Sequence, residues 1–295
     1  MSRIAELKES RAKIEEYCEF LRKRGRKESS IYTVTKALRG AIKRLTDEGL
    51  EITPERIGRE EVLAILRSDL APATKRSYVT ILSRWMRHFG NFAINDMGLM
   101  WNDDASPNVK WIDEAEFKIA LMSVKDPTEE MILLLGARCG LRRHEMSQLR
   151  VSDIKGSQMI IHGKGHGVDG KIRIIPLSAK MVEKVKAYNA YREKEKIGMR
   201  VRTGDYFLFN TSKYEIFPVT DDRVNYIVHD ISTRTGIDFT PHSLRRLFAT
   251  TAASVTDIHI VQTLMGHSSI ATTERYIRRD RSAMLDAMEM VSAKI

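Results

Sequence analysis

The sequence predicts a mainly α protein of two units: an all-helical N-terminal unit and a larger mixed one, mostly helical, that carries a small β-hairpin. Three observations predict it. Apolar residues recur at helical spacing through most of the 295 residues. No strand signal appears in the first 90 positions. Two β-rich runs, Met159 to His162 and Ile172 to Leu177, flank the glycine-rich stretch GKGHGVDGK, as a hairpin with a long tip would. Asn, Asp, Gly, Ser and Pro become common between the units, so a linker is expected at 93–110, with units at 1–92 and 111–295. Trp101 and Trp111 imply that parts of this stretch pack down.

The N-terminal elements follow in order. Residues 3–24 repeat Ile4, Leu7, Ile14, Tyr17, Cys18 and Leu21 at helical spacing. Gly25 then breaks a run, Arg22 to Lys27, in which five of six residues are basic. Ser29 or Ser30 is a candidate cap for the next helix, which extends to about Gly49 and carries Lys36, Arg39, Lys43 and Arg44 near one side. Thr53-Pro54-Glu55 has the form of a cap followed by proline at a first helical position. A short helix is expected near Glu60 to Ser68. Ala71-Pro72 opens another, bearing Lys75, Arg76, Arg84 and Arg87 and ending near Gly90.

In the second unit, Asp113 is a possible cap for a helix to Lys125. Glu129 to Gly140 is strongly apolar and reads as a central helix, and Arg142 to Arg150 as the next. After the hairpin, Met181 to Lys196 is a charged helix and Tyr206 to Phe209 a brief strand. Helices are expected at about 221–235, 242–254, 257–265 and 269–280, with a tail helix at 281–295.

Composition excludes several classes. With 42% hydrophobic and 30% charged residues the chain is an ordinary soluble protein. Its longest apolar runs, such as Met131 to Ala137, are too short to cross a bilayer, and MSRIAELKES has no signal-peptide core, so a cytoplasmic protein without a membrane partner is expected. Cys18 and Cys139 match no metal spacing and read as buried free thiols. Net charge is +10, of which positions 1–100 carry about +6. Such an excess favours a polyanionic partner, nucleic acid above all. The candidate phosphate contacts are Arg22, Lys23, Arg24, Arg26, Lys27, Lys36, Arg39, Lys43, Lys75 and Arg76. Taken alone, each such run is also what a solvated face looks like.

The residues with chemistry lie late in the chain. His242 and Arg245 are three apart and share a helix face. His267 follows Gly266, a helix stop, and Tyr276 comes nine residues later. With Arg142 and Lys164 they suit transesterification of a phosphodiester. Attack builds negative charge on two non-bridging oxygens, and the arginine fork takes that charge without losing its proton. A tyrosine hydroxyl is a weak nucleophile at its ordinary pKa of about 10, which neighbouring cations lower while a base such as His242 accepts the proton. Lys164, on the hairpin tip, suits a general acid for the leaving oxygen, and His267 a hydrogen bond to a non-bridging oxygen. No metal cluster and no nucleotide loop is evident, and no cofactor is expected.

These residues lie in four segments that resemble the tyrosine recombinase (phage-integrase-like, Xer-type) family. GARCGLRRHEMSQLRVSDI is similar to its first arginine box, GKG followed by KIRIIPL to its β-hairpin lysine segment, PHSLRRLFATTAA to its His-x-x-Arg box and LMGHSSIATTERYI to its Gly-His to Tyr box. The four stand in the family's order from Gly136 to Ile277, about half the chain. The resemblance implies a helical core-DNA-binding domain followed by a catalytic domain, clamped around duplex DNA. It implies Arg142 and Arg245 as phosphate clamps, Lys164 as general acid, His242 as proton acceptor or clamp, His267 as second clamp and Tyr276 as nucleophile. Glu145 falls where the family has an acid that supports the arginine box. A 3′-phosphotyrosyl link would conserve bond energy, so neither ATP nor metal would be needed. A dimer on each inverted-repeat site and a tetrameric synapse are implied likewise.

The chain departs from the pattern in places. Arg246 doubles the cation after Arg245, Arg143 and His144 crowd Arg142, and Met265 stands where leucine is common. Lys171 competes with Lys164 for the acid role. Tyr206, Tyr214 and Tyr226 follow no Gly-His, and His162, His166, His229 and His259 are expected to have no role. The stripe Met284, Leu285, Met288 and Val291 reads as packing, within the chain or onto a neighbouring protomer. Without an extra N-terminal arm-binding segment the layout leans toward a Xer-like resolvase over a mobile-element integrase. A type IB topoisomerase shares the chemistry, and a non-catalytic DNA-binding protein shares the fold; an intact set of six residues argues against the latter.

Overall fold

The structure, a computed structural model, describes residues 3–99, 109–163, 172–267 and 269–274. The chain divides into two compact units, Met1–Val109 and Lys110–Ile295. Trp101, His166, Lys164, Lys171, Tyr276 and the tail stripe lie outside the described residues.

The first unit is helical throughout its described residues: α1 (Arg3–Lys23), α2 (Glu28–Asp47), α3 (Arg59–Arg67) and α4 (Pro72–His88), then a 3-10 turn, Asn95–Met97. Periodic apolar positions give each helix one buried side. Cys18, Leu38, Leu45, Val62, Leu82 and Trp85 meet in the core, where the Trp85 indole donates to the Lys13 carbonyl at 3.3 Å. Pro72 opens α4 as expected. Two local expectations are corrected. The α2 cap is Lys27, with no side-chain cap bond, rather than Ser29 or Ser30. Glu28 thereby enters the first turn, where its charge suits the helix dipole. Thr53-Pro54-Glu55 makes a single turn, closed by Arg56 and Ile57 N–H donation to the Thr53 carbonyl, and no helix grows from it. Ile57 is buried, and the next helix is capped at Gly58 by the returning Glu61 carboxylate. Within the stretch read as linker, Ile94 is buried in this core, and Ala93, Met97 and Leu99 pack against it.

The second unit begins with α5 (Glu114–Met122), α6 (Pro127–Cys139) and α7 (Arg143–Gln148). Asp113 caps α5 by accepting from Glu116 N–H, as expected. α6 is buried on nearly every side, which makes it the central helix its apolar composition predicts. Strands β1 (Ile154–Lys155), β2 (Gln158–His162) and β3 (Ile172–Pro176) form an antiparallel sheet in that order, with Ile160 opposite Ile174. α8 (Ala179–Glu195) follows. A second small sheet of β4 (Arg200–Val201), β5 (Phe209–Thr211) and β6 (Glu215–Pro218), in the order β4-β6-β5, was not anticipated. The strand expected at Tyr206 to Phe209 starts later, at Phe209; Tyr206 makes only an isolated bridge to Arg150. The unit continues with α9 (Asp221–Thr235), α10 (Pro241–Ala253), α11 (Ile258–Met265) and α12 (Ile270–Glu274). Cys18 and Cys139 are buried and unbridged. Among the described residues no helix is long and apolar enough to cross a membrane.

The packing of α10 on α6 builds the site. A Cβ on Gly136 would lie 2.8 Å from the Leu244 Cβ, so only glycine lets the two helices approach this closely. Thr240 caps α10, Pro241 occupies its first turn, and the Ser243 hydroxyl donates to the Lys110 carbonyl at 2.9 Å. Arg246 donates to the same carbonyl at 3.2 Å and lies over the Trp111 ring. The second cation of that box therefore secures the start of the unit.

Candidate active site

Two helices end at one place. α6 ends at Gly140 and α11 at Gly266, whose φ of 63° is the left-handed C-cap conformation that turns the chain sharply into His267. The last carbonyls of each helix lack intrahelical partners and carry the negative end of its dipole. Arginines satisfy them. Arg245, on α10, is 0% exposed and donates to the carbonyls of Gly140 and Met265.

Glu145 is the hub. Its carboxylate, 2% exposed, receives the Arg142 backbone N–H at 2.8 Å and the Arg142 guanidinium at 2.8 Å. Arg173 from β3 adds a two-pronged pair, at 2.8 Å to Oε1 and 2.7 Å to Oε2. Arg245 Nη1 stands 3.7 Å from Oε2. Burial pushes this carboxyl up, but the bonds and charge of Arg173, and then those of Arg142, outweigh it and hold the pKa at about 2. The helix expected from Arg142 to Arg150 is α7, Arg143–Gln148, and Arg142 stands at its N-cap; the Arg142 side chain stays 36% exposed and so presents a donor edge to solvent.

His267 is buried between two partners, with Nε2 3.0 Å from Arg245 Nη2 and Nδ1 2.9 Å from Thr273 Oγ1. Arginine only donates, so Nε2 accepts and the ring is neutral, with its proton on Nδ1. Burial, then the charges of Arg245, Arg142 and Arg173, push its pKa down to about 4. His242, in the first turn of α10, keeps an exposed edge. Partial desolvation and then the charges of Arg246, Arg245 and Arg142 bring it to about 4 as well. Both rings are neutral near pH 7, the form that accepts a proton.

Four of the six expected chemical residues, Arg142, His242, Arg245 and His267, thus gather in one place; Lys164 and Tyr276 lie outside the described residues. Sequence reasoning missed Arg173. Its signal was a charge at the inward position of IRIIP, on the same strand face as the buried Ile175. Among the described residues no group of three or more His, Cys, Asp or Glu is placed to hold a metal.

The ten candidate phosphate contacts lie in the first unit. Arg22 and Lys23 end α1; Arg24, Arg26 and Lys27 lie in the loop after it; Lys36, Arg39 and Lys43 are on α2; Lys75 and Arg76 are near the start of α4. All are exposed except the half-buried Lys75. Arg22 is engaged with Glu15, Glu19 and Glu28, and Lys43 with Asp47. Arg39 and Lys43, with Arg11, rim a groove of about 720 Å³ between α1 and α2.

Comparison with known proteins gives consistent matches. Residues 110–282 match the model of the Phage integrase family. Over 162 residues the chain is 31% identical to a protein named tyrosine recombinase XerA of Thermococcus onnurineus, covering 54% of each. It is 33% identical to a tyrosine recombinase of Pseudothermotoga lettingae over 58% of this chain and 56% of that one. The matches thus span about half the length of these relatives. Among solved structures, a lambda integrase dimer bound to a COC′ core site shares the fold with a TM-score of 0.70 at 19% identity, over 92% of this chain and 95% of that one.

Proposed function

The chain belongs to the phage integrase family, and from that premise we propose that it is a site-specific DNA recombinase that cuts and rejoins strands through a tyrosine–phosphate link. The observation that carries this reading is the set of fixed cations around Glu145, with two neutral histidines beside them. Such a set takes up the charge of a transferring phosphoryl group with no reorganisation at the moment of reaction.

The steps follow from the residues. Arg142 binds the non-bridging oxygens through its exposed edge; Arg245, enclosed and committed to the carbonyls of Gly140 and Met265 and to His267, adds its fixed positive charge to the site and holds His267. The Tyr276 hydroxyl attacks phosphorus; its proton passes to neutral His242. The bond to the 5′-oxygen breaks, and Lys164 supplies the proton that makes it a 5′-hydroxyl. A 3′-phosphotyrosyl link remains, which a 5′-hydroxyl from another strand attacks in reverse. The link conserves the energy of the phosphodiester, so neither ATP nor a metal ion enters the scheme. Phosphate brought between the arginines raises the pKa of both histidines, so His242 becomes a better base as charge builds.

The first unit contributes exposed cations for duplex DNA, and the basic face of α2, with Lys36 and Arg39, is the leading contact. A dimer on each inverted repeat and a four-protomer synapse complete the proposal. The test is covalent capture. The protein is incubated with fragmented DNA of its host and quenched in SDS, and linked fragments are sequenced beside a Tyr276→Phe control. Fragments that share an inverted repeat and vanish in the control are expected; the genomic setting of that repeat separates chromosome resolution from mobile-element exchange. Linkage without shared sequence would replace recombinase with a relaxing topoisomerase. Tight DNA binding with no linkage would remove the catalytic reading.

A further inference from the structure

Arg173 stands at the second position of β3, the strand that follows the segment containing Lys164. Its side chain is 8% exposed and turns inward. Both Nη atoms bond Glu145, and Nε donates to the Leu264 carbonyl at 2.9 Å, in the last turn of α11. Its Cδ lies 3.0 Å from where a Cβ on Gly266 would be, so the guanidinium stem lies directly against the turn into His267. One side chain thereby joins the strand after the Lys164 segment, the Arg142 box and the Gly266-His267 turn.

We propose that Arg173 is a positioning residue for DNA strand cleavage, which sets Arg142 through Glu145 and His267 through the end of α11. The inference rests on the cleavage reading above. Its physical basis is the shape of the fork. Each Glu145 oxygen is shared by one Arg173 nitrogen and one Arg142 nitrogen, so the carboxylate plane is fixed from both sides. Without Arg173, Glu145 keeps its i,i+3 contact with Arg142 and is otherwise left facing Arg245, 3.7 Å away. A buried carboxylate that loses one cation draws on those that remain, and here these are Arg142, the phosphate contact, and Arg245, the partner of His267. The Leu264 carbonyl loses its donor at the same time, and the turn that brings His267 to Arg245 loosens.

A fold-holding role and a positioning role give different readouts. A packed apolar replacement of a buried ion pair often preserves stability but cannot reproduce a fork. Glu145 is faced by Arg142, Arg173 and Arg245, with His267 beside them; removal of the largest of these influences raises its pKa, so the acid limb of the cleavage profile moves up. The experiment uses the full chain and the DNA site recovered by capture. Single-turnover formation of the covalent complex is measured against pH, with DNA affinity and melting temperature alongside, for wild type, Arg173→Met and Arg173→Lys. Both variants are expected to bind DNA within about threefold of wild type yet to cleave about 100-fold (Met) and 10-fold (Lys) more slowly, the range of a misplaced transition-state donor. The acid limb shifts upward most in Arg173→Met. Wild-type cleavage rates in either folded variant overturn the inference alone. So does a loss of cleavage matched by an equal loss of DNA affinity in both. If Arg173→Met does not fold, Arg173→Lys decides. Absence of a covalent complex in the wild type overturns the cleavage reading, and this inference with it.

Discussion

Arginine is used in two opposite ways in the two units. In the first, Arg22 and Arg39 are exposed, and Arg22 spreads its charge over three surface glutamates. In the second, Arg245 and Arg173 are enclosed, and the hydrogen bonds they donate end on helix carbonyls, a buried carboxylate or a histidine. An exposed cation in water is screened within about 10 Å and acts as a diffuse attraction. An enclosed one has one position and one orientation. The first kind suits affinity without geometry, and the second suits geometry at a reacting centre.

The largest expected effect tests the enclosed set. Arg142→Gln removes the donor edge that faces solvent while leaving Glu145 its pair with Arg173. Formation of the covalent complex should fall by about 10²- to 10³-fold with little change in melting temperature. A fall of only a few fold that vanishes in high salt would place Arg142 with the cations of the first unit and break the comparison.

Acid sharpens it next. His267 has a folded pKa of about 4 against an ordinary 6.5. A depressed folded value means the unfolded chain takes up the proton first. The contribution of this ring is therefore whole above pH 6.5 and is lost as pH falls toward 4. The loss should reach about 1–3 kcal/mol. Glu145, near 2 against 4.5, adds a further loss below pH 4.5. In the first unit the acid-range groups with depressed values are the carboxylates Glu51 and Asp69, with ordinary values of 4.5 and 3.8, so this unit weakens only in that lower range. Hydrogen exchange of the full chain at pH 7 and pH 5, corrected for intrinsic rates, should show α10 and α11 losing protection while α2 and α4 keep it. Equal losses in both units would show that His267 is not held neutral.

The same contrast explains what was legible in the sequence. Local signals carried the helices. Asp113 announced α5 and Pro72 announced α4, because caps and first-turn prolines act within three or four residues. The Arg142, His242, Arg245 and His267 cluster was legible from spacing within its boxes and from likeness to a family. What escaped depends on distant partners. β4 is two residues long, and its pairing with β6 is fixed only by contact across the fold. Ser29 and Ser30 looked like caps, yet α2 starts earlier, and Glu28 there bonds Arg22 of the preceding helix. Arg173 interrupts an apolar strand, and nothing near it in sequence reveals that Glu145 waits 28 residues back.

The smallest effects belong to the exposed cations, and they are distinguishable by kind. Lys36→Gln and Arg39→Gln should each weaken DNA binding by a few fold, in affinity and not in the rate at saturating DNA. Each lost phosphate contact should also lower the slope of log affinity against log salt by about 0.9. Arg22→Gln should do less than either, because its charge is already shared with Glu15, Glu19 and Glu28. Binding titrations at three salt concentrations separate these cases. If Arg39→Gln slowed cleavage tenfold at saturating DNA, a cation of the first unit would be acting on the reacting phosphate. The division between attraction and geometry would then fail at α2. If only the salt slope moves, the division holds, and α2 supplies attraction to the DNA backbone without shaping the reacting centre.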